Sequence, residues 1–298
     1  MRTTIKNDCS TNRKTSRTRT KSIVILFFFL SAYFTNALGQ VVVSVNPPTG
    51  GFNIDGTLKA NTAAGDWAAG TGAGGFVFQS FVESHGVPVS GLNAGWIPDL
   101  YNSTSDLIFS GSAFADNPNT WKWTASKPSS KDDINNVMYL STTSSTQKWL
   151  VLGGDRFTTT GTSYIDFEFF QGKFTRETGG KFKSVGPNDE DLSGTGGRSL
   201  GDFVLSMEYS NGGTNANVHY YIWDAVLANG KTTYKYVDHT DLINSSNALG
   251  STNGASTPAA FAGSAFGADN YIPYAFVEAA VNVDALLGLS CHQESIKT

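Results

Sequence analysis

Five acidic side chains in the central part of the chain have the types and spacing that could support chemistry. They are Asp132, Asp133, Asp155, Asp166 and Glu168. Asp166 and Glu168 stand two positions apart, so an extended strand would place both carboxylates on the same face. Carboxylate oxygens are the ligands that calcium prefers, and it takes about six to eight oxygens at once. Calcium is therefore the candidate metal and cofactor for these five residues.

Two basic neighbours give the same acids a second interpretation. Lys131 precedes Asp132, and Arg156 follows Asp155. Ion pairs between neighbouring strands would satisfy the carboxylates without a metal. The chain contains no run of the form D-x-[DN]-x-[DN]-G, which a fixed calcium loop would show. Calcium binding and ion pairing both remain open hypotheses for the cluster.

Glycoside hydrolysis is the enzymatic alternative, because it needs two carboxylates on either side of a sugar. Asp166 and Glu168 could supply them, but Phe170 takes the third position of their strand face. The chain has no G-x-S-x-G nucleophile motif. Its four histidines are dispersed, without the spacing of metal ligands. The sequence therefore favours a non-catalytic protein and places a carbohydrate-active enzyme last.

Aromatic residues suggest a binding role. Trp121 and Trp123 lie on the same side of an extended segment, and Tyr220, Tyr221 and Trp223 crowd another. Exposed aromatic rings can hold a sugar by stacking. Trp121 and Trp123 are thus the candidate ligand-binding residues for an extracellular glycan or another surface component. Trp and Tyr are also routine core residues of β-sandwiches, and this second interpretation stays open.

The first 39 residues have the pattern of a secretory signal peptide. A segment rich in Lys and Arg precedes an apolar run over Ser22–Phe34, and Ala37-Leu38-Gly39 supplies small residues before Gln40. The run holds 13 residues, whereas a membrane-spanning helix needs about 20. We therefore expect cleavage before Gln40, no membrane span afterwards, and a secreted or cell-surface location.

Removal of this segment changes the charge of the protein. The whole chain has 21 basic and 25 acidic residues, and residues 40–298 retain 14 and 24 of them, a net charge of about −10. Such a surface repels nucleic acid, which excludes nucleic-acid binding. Cys9 leaves with the signal, so Cys291 has no intrachain disulfide partner.

The remaining 259 residues predict a single all-β domain. They are rich in Gly, Ser, Thr, Asn and aromatic residues, and short apolar runs alternate with turn residues. We predict an antiparallel β-sandwich of jelly-roll or lectin type, with one or two short helical turns. The predicted strands are Val41–Val45, Phe52–Leu58, Phe76–Val82, Leu107–Phe109, Lys148–Leu152, Tyr164–Gln171, Phe203–Tyr209 and Asn217–Trp223.

Further segments predict a central strand, a hairpin turn, two helical turns and a polar insertion. Lys148–Leu152 is apolar on both faces, which indicates a central strand, and Asn211-Gly212-Gly213 predicts a hairpin turn. Asp132–Tyr139 and Asp284–Gly288 are the predicted helical turns. Lys173–Gly201 is the most polar insertion, and we expect it to form an exposed loop or hairpin.

An ordered set of motifs resembles an exported β-domain of bacterial surface proteins, found in Bacteroidetes and Actinobacteria and mostly without an assigned activity. The motifs are FNIDG at 52–56, GDW at 65–67, WKW at 121–123, KDDI at 131–134, LGGDRF at 152–157, IDFEFFQ at 165–171, SLGDFVLSMEYSNGG at 199–213, YIW at 221–223 and AFVEAAVNVDALLG at 275–288. In Bacteroidetes this domain often precedes adhesion repeats and a sorting tail for type IX secretion or gliding motility.

The resemblance implies a secreted or cell-surface, non-catalytic module for adhesion or glycan contact. A purely structural domain of a larger surface protein is the alternative. Similar proteins continue through a further strand and further domains, whereas this chain stops at Thr298. We therefore expect either a fragment whose sandwich is truncated at its C-terminal strand or a short stand-alone member.

Overall fold

Antiparallel β-sheet dominates the chain, as the sequence predicts. The structure, a computed structural model, describes residues 41–72, 93–110, 115–210 and 215–290. These residues all lie in one compact unit, Leu38–Thr298. The predicted signal peptide (residues 1–39), the predicted strand Phe76–Val82 and Cys291 lie outside the described residues.

The strands are short, and most pair with a strand nearby in the sequence. In chain order they are β1 (Val41–Val43), β2 (Phe52–Ile54), β3 (Lys59–Ala60), β4 (Ala68–Ala69), β5 (Asn93–Pro98), β6 (Leu107–Phe109), β7 (Trp123–Ala125), β8 (Asn136–Ser144), β9 (Gln147–Asp155), β10 (Ser163–Phe169), β11 (Lys173–Glu177), β12 (Lys181–Val185), β13 (Phe203–Ser210), β14 (Asn215–Ala228), β15 (Lys231–Asp238), β16 (Ala248–Thr252), β17 (Thr257–Pro258), β18 (Asn270–Tyr271) and β19 (Phe276–Asn282). The α-helix α1 (Val283–Ser290) and short 3-10 turns at Pro118–Thr120, Ser193–Thr195 and Thr240–Leu242 complete the described elements.

A five-stranded sheet in the order β16-β19-β9-β8-β5 forms the centre of the molecule. Strand β9 lies in its middle and contains the predicted central segment Lys148–Leu152. Trp149 and Val151 belong to the core on one face of this sheet, and Leu152 belongs to the core on the other. The doubly apolar pattern of this segment thus arises because both faces are covered.

A four-stranded sheet in the order β10-β13-β14-β15 packs on one face of the central sheet and completes the sandwich. Alternate residues of β13, namely Leu205, Met207 and Tyr209, point into this core, as their period-two spacing predicts. They meet Val277 and Ala279 of β19. The predicted β13–β14 hairpin is confirmed as an antiparallel pair, although its turn lies outside the described residues.

The other face of the central sheet is covered by the chain's first strands. Phe52 of β2 and Trp67 pack edge to face, with ring centroids 4.9 Å apart. They join Leu140 of β8 and Phe276 of β19 in a second apolar core. Strand β19 is consequently buried along its whole length, which constrains every polar residue it carries.

One predicted element is wrong. Asp132–Tyr139 is not a helix, because Asn136–Ser144 forms strand β8 between β5 and β9. Met138 and Leu140 are both buried, which is a strand period. The predicted helical turn near Asp284 is confirmed as α1, where the Asn282 side-chain oxygen accepts the N–H of Ala285.

The polar insertion Lys173–Gly201 forms a hairpin, β11–β12, followed by a loop. A second small sheet, β6–β7, lies against this hairpin, where the Trp123 N–H donates to the Gly180 carbonyl at 3.0 Å. These two small sheets carry the candidate site. Within the described residues, no helix has the length and apolar character needed to cross a bilayer.

Candidate functional site

A cavity of about 430 Å³ lies where β12 meets the turn Pro118–Thr120 and the loop 186–195. We call it the polar pocket. It is lined by Asn117, Asn119, Lys183, Ser184, Asp189, Asp191 and Ser193, with Val185. Its volume falls within the range of about 300–1,000 Å³ that is usual for ligand sites.

Asparagine side chains fix the wall of the polar pocket. The Asn117 side-chain oxygen accepts the Asn119 backbone N–H at 2.9 Å and so caps the turn. The Asn119 side-chain oxygen accepts the N–H of Ser184 at 2.8 Å, which joins the turn to β12. Gly197 adopts φ +82°, and a Cβ there would lie 2.1 Å from the Asn117 side-chain oxygen. Only glycine fits this contact.

Ser184 is the most unusual residue of the polar pocket. It is 4% exposed, and its Oγ is buried without a hydrogen-bond partner among the described residues. A buried hydroxyl without a partner costs about 1–3 kcal/mol. Because this oxygen has almost no solvent-accessible surface, it belongs to the buried side of the pocket wall and is not a ready contact for a ligand.

The charged groups of the polar pocket differ in how they are paired. Lys173 Nζ lies 2.6 Å from Asp189 Oδ1. Asp191 accepts the Ser193 N–H at 2.8 Å and the Ser193 hydroxyl at 2.9 Å, and these bonds lower the pKa of Asp191. Lys183 forms no ion pair with any residue that the structure describes. The charge of its ammonium group is therefore not neutralised by a described carboxylate.

Trp121, a predicted ligand-binding residue, lies behind the pocket and does not line it. Trp121 is 7% exposed, and its ring packs edge-on against Phe109, Phe174 and Phe182 at centroid distances of 5.4, 5.8 and 6.4 Å. Since Trp121 follows the pocket turn and Phe182 shares β12 with Ser184, this cluster supports the pocket wall.

Four phenylalanine rings continue this cluster towards the surface. Phe109, Phe182, Phe174 and Phe170 stack in that order, at centroid distances of 5.2, 5.2 and 4.8 Å. Phe109 is 57% exposed at the end of the row. Trp123, the other predicted ligand-binding residue, is partly exposed beneath the Arg176 guanidinium, 5.1 Å from its ring. Trp123 therefore retains some ring surface for a ligand.

Glu168, a predicted metal ligand, holds a buried arginine. Arg198 is fully buried, and its Nε donates to Glu168 Oε1 at 2.5 Å. The Tyr236 hydroxyl donates to the same oxygen. The Arg198 guanidinium also lies 4.7 Å from the Trp223 ring and 5.2 Å from the Trp121 ring. The sequence predicts ion pairing through Lys131 and Arg156, but Arg156 donates to the Tyr274 carbonyl and the Ser163 hydroxyl. The partner of Glu168 is Arg198, which is flanked by glycines and serine and gives no sequence signal.

Asp155 is enclosed by hydrogen-bond donors. Its Oδ1 accepts the backbone N–H groups of Asn135 and Asn136 at 2.7 and 2.8 Å. Its Oδ2 accepts the Asn136 side-chain amide at 2.7 Å and the Tyr271 hydroxyl at 2.6 Å. Burial raises the pKa of Asp155 to about 6, against the lowering effect of these bonds. Asp155 thus orders the loop before β8.

The remaining predicted metal ligands do not come together as one site. Asp132 is exposed and accepts the Ser129 hydroxyl, whereas Asp133 is buried and accepts the Asn102 N–H. Asp166 is exposed beside Ser206 on the outer face of the four-stranded sheet. Among the described residues, no three His, Cys, Asp or Glu side chains are grouped to hold a metal ion.

A buried acidic pair, Asp66 and Glu278, is not among the residues that the sequence singles out. Glu278 Oε1 accepts the N–H groups of Asp55 and Gly56 at 2.8 and 2.6 Å, and its Oε2 accepts Trp67 Nε1–H at 2.8 Å. Burial raises the pKa of Glu278 to about 8, and it also raises the pKa of the neighbouring Asp66. The FNIDG, GDW and AFVEAAV motifs thus converge here. A lone Glu within an apolar strand was the available signal.

Comparison of the chain with protein-family models, with curated proteins and with solved structures finds no match. The resemblance to an exported bacterial surface domain therefore stays a prediction. The polar pocket and its surroundings are the features of the structure that bear on function.

Proposed function

We propose that the protein is a secreted or cell-surface, non-catalytic module that contacts extracellular glycans through the polar pocket. The observation that carries this proposal is a cavity of about 430 Å³ that is lined almost entirely by polar residues. A sugar hydroxyl both donates and accepts hydrogen bonds, so it matches a lining that offers both donors and acceptors.

The construction of the pocket supports recognition of a polar ligand. Amide, carboxylate, ammonium and hydroxyl groups surround the cavity. The Asn117 and Asn119 bonds hold the turn in place, so little ordering is needed on binding. The partly exposed ring of Trp123 and the exposed end of the phenylalanine row at Phe109, on the same pair of small sheets, offer apolar surface for the C–H face of a sugar.

The catalytic alternative finds less support. Glu168 is committed to Arg198 and Tyr236. It shares a strand face with Asp166, which is exposed on an outer sheet surface. Glycosidase carboxylates instead flank the scissile bond with a free acid and a free base. A non-catalytic role therefore agrees better with these contacts.

Secretion is the second part of the proposal. It is supported by the basic segment, the apolar run Ser22–Phe34 and the small residues before Gln40. N-terminal sequencing of protein exported by a bacterial host tests it. We expect a mature N-terminus at Gln40. Retention of the whole chain in the cell, with Met1 intact, would contradict secretion.

A glycan array tests the binding role. The exported wild-type protein should bind a defined group of glycans. Ser193→Val should abolish most of that signal, because it replaces an exposed hydroxyl of the pocket lining with methyl groups that cannot hydrogen bond. Ser105→Val, at an exposed serine outside the pocket, is the matched control and should bind like the wild type. A wild type that binds no glycan, or a Ser193→Val variant with an unchanged signal, would favour the purely structural alternative.

A further inference from the structure

We infer that Asn229, at the tip of the β14–β15 hairpin, is a site of spontaneous modification, where the side-chain amide is converted to a carboxyl group through a cyclic succinimide. The dipeptide Asn-Gly occurs three times in the sequence, and the structure describes two of these places, Asn229-Gly230 and Asn253-Gly254. Glycine after asparagine favours the reaction, because the backbone nitrogen of a residue without a Cβ is little hindered. The two described sites differ in how firmly the fold holds the asparagine.

Asn229 and Gly230 form the two-residue turn of the hairpin. Ala228 pairs with Lys231, so only these two residues lie between the strands. Their φ angles are +51° and +74°, and positive values at both positions are those of a type I′ turn. Both residues are exposed, and a Cβ on Gly230 would meet no atom within 4 Å. Water therefore has access to the turn.

The Asn229 side chain is not held by the fold. Its amide makes no hydrogen bond with any residue that the structure describes. The strand ends beside it are also open, since Leu227 is 73% exposed and Ala228 and Lys231 are exposed too. The two apolar cores contain no residue of the range 224–238. The tip of the hairpin can therefore open locally at a small cost in free energy.

Asn253 also precedes a glycine, but the fold holds its side chain on every polar atom. It is 2% exposed. Its side-chain nitrogen donates to the carbonyls of Ala255 and Ile272 at 3.0 and 2.7 Å, and its side-chain oxygen accepts the Phe276 N–H at 2.8 Å. Succinimide formation would break these bonds, so Asn253 reacts only when this part of the core opens.

The reaction needs only water besides the chain itself. The backbone nitrogen of Gly230 loses its proton to a base in the solvent and bonds to Asn229 Cγ. The Cγ–Nδ2 bond breaks, and the nitrogen takes up a proton and leaves as ammonia. Water then breaks one of the two bonds that join the ring to the Gly230 nitrogen. Cleavage at Cγ gives aspartate, and cleavage at the backbone carbonyl carbon gives isoaspartate, which lengthens the backbone of the turn.

Peptide mapping by mass spectrometry, after incubation of the exported protein at mildly alkaline pH, tests the inference. The Asn229 peptide should gain a carboxyl group at least about tenfold faster than the Asn253 peptide, because a hairpin tip opens more readily than a core. Chymotrypsin, which cuts after aromatic residues such as Tyr221 and Trp223, separates Asn229 from the dipeptide at Asn211.

Two controls show that the fold causes the difference. In concentrated urea the two sites should react at similar rates, because each asparagine is followed by glycine. Asn229→Gln should remove the early product and shift the melting temperature by less than about 2 °C, as expected for an exposed position.

Equal rates at the two sites in the folded protein, or an earlier reaction at Asn253, would overturn the inference. An Asn229 that stays intact in the folded protein while both sites react in urea would overturn it as well. A difference in rate that persists in urea would also contradict it, because the fold would then not be the cause.

Discussion

Arg198 Nε donates to Glu168 Oε1 at 2.5 Å, and this buried ion pair connects the polar pocket to the four-stranded sheet. Arg198 Nη1 also donates to the carbonyl of Asp116 at 2.8 Å, immediately before the turn that carries Asn117 and Asn119. The position of the pocket wall therefore depends on a residue of β10.

Arg198→Met should destabilise the protein by about 3–5 kcal/mol, because it leaves the largely buried Glu168 carboxylate without its partner. Urea denaturation at pH 7 measures this change. Lys173→Gln, which removes an exposed ion pair with Asp189, is the matched control and should cost less than about 1 kcal/mol. Equal losses for the two variants would contradict the role given to Arg198.

The Asp66–Glu278 pair predicts a pH dependence of stability. Burial raises the pKa of Glu278 to about 8 in the folded protein, above its ordinary value of 4.5. Between these two values the folded state keeps a proton that the unfolded state releases. The free energy of unfolding should therefore fall as pH rises from about 5 to 8, by roughly 1 kcal/mol per pH unit.

Asp66→Asn isolates this effect. The amide oxygen can still accept the Trp67 N–H, and the amide nitrogen supplies a donor where Asp66 Oδ2 has no partner among the described residues. We expect the variant to be at least as stable as the wild type at pH 8 and to show a shallower decline between pH 5 and 8. Denaturant midpoints measured across this range test the prediction. An unchanged slope would show that the charge of Asp66 does not affect the titration of Glu278.

Asp155→Asn should destabilise the protein by about 2–3 kcal/mol. The Asp155 carboxylate accepts hydrogen bonds and donates none. In the variant, an amide nitrogen in place of Oδ2 would face the Asn136 side-chain amide, which is also a donor. Asp132→Asn, at an exposed acid of the same predicted cluster, should change stability by less than about 0.5 kcal/mol. Thermal denaturation compares the two, and a larger loss at Asp132 would argue against this assignment.

Calcium should not stabilise the protein. The oxygens of Asp155 are filled by four N–H and O–H donors, and Glu168 is engaged by Arg198 and Tyr236. Neither carboxylate is free to coordinate a cation. The melting temperature should therefore be the same with excess EDTA and with millimolar calcium. A drop with EDTA that calcium reverses would restore the calcium hypothesis.

Much of the fold was predictable because its patterns are local. The doubly apolar segment Lys148–Leu152 and the alternation in β10 and β13 each indicate a strand within a few residues. The helix predicted over Asp132–Tyr139 is wrong because Ile134, Val137 and Met138 have helical spacing, although Val137 and Met138 lie on opposite faces of β8. Neighbouring strands β5 and β9 decide between the two, and the sequence does not show those neighbours.

The candidate site was only partly predictable. The WKW motif follows the turn that lines the polar pocket, yet Trp121 is buried against Phe182 and does not line the pocket itself. Ser184 and Asn119 are ordinary polar residues in the sequence, and their meeting depends on how the hairpin β11–β12 docks on a turn more than 60 positions earlier. The sequence predicts ion pairing for the acids, but Arg198, the partner of Glu168, lies 30 positions further along the chain.

Backbone amide NMR of the ¹⁵N-labelled protein, titrated separately with the glycan that gives the strongest array signal and with D-glucose, tests the central claim most directly. The account predicts saturable shifts at the amides of Asn119, Lys183, Ser184 and Ser193, around the polar pocket. Shifts confined to the outer face of the four-stranded sheet, near Tyr164 and Asp166, or no shifts with either sugar, would contradict it.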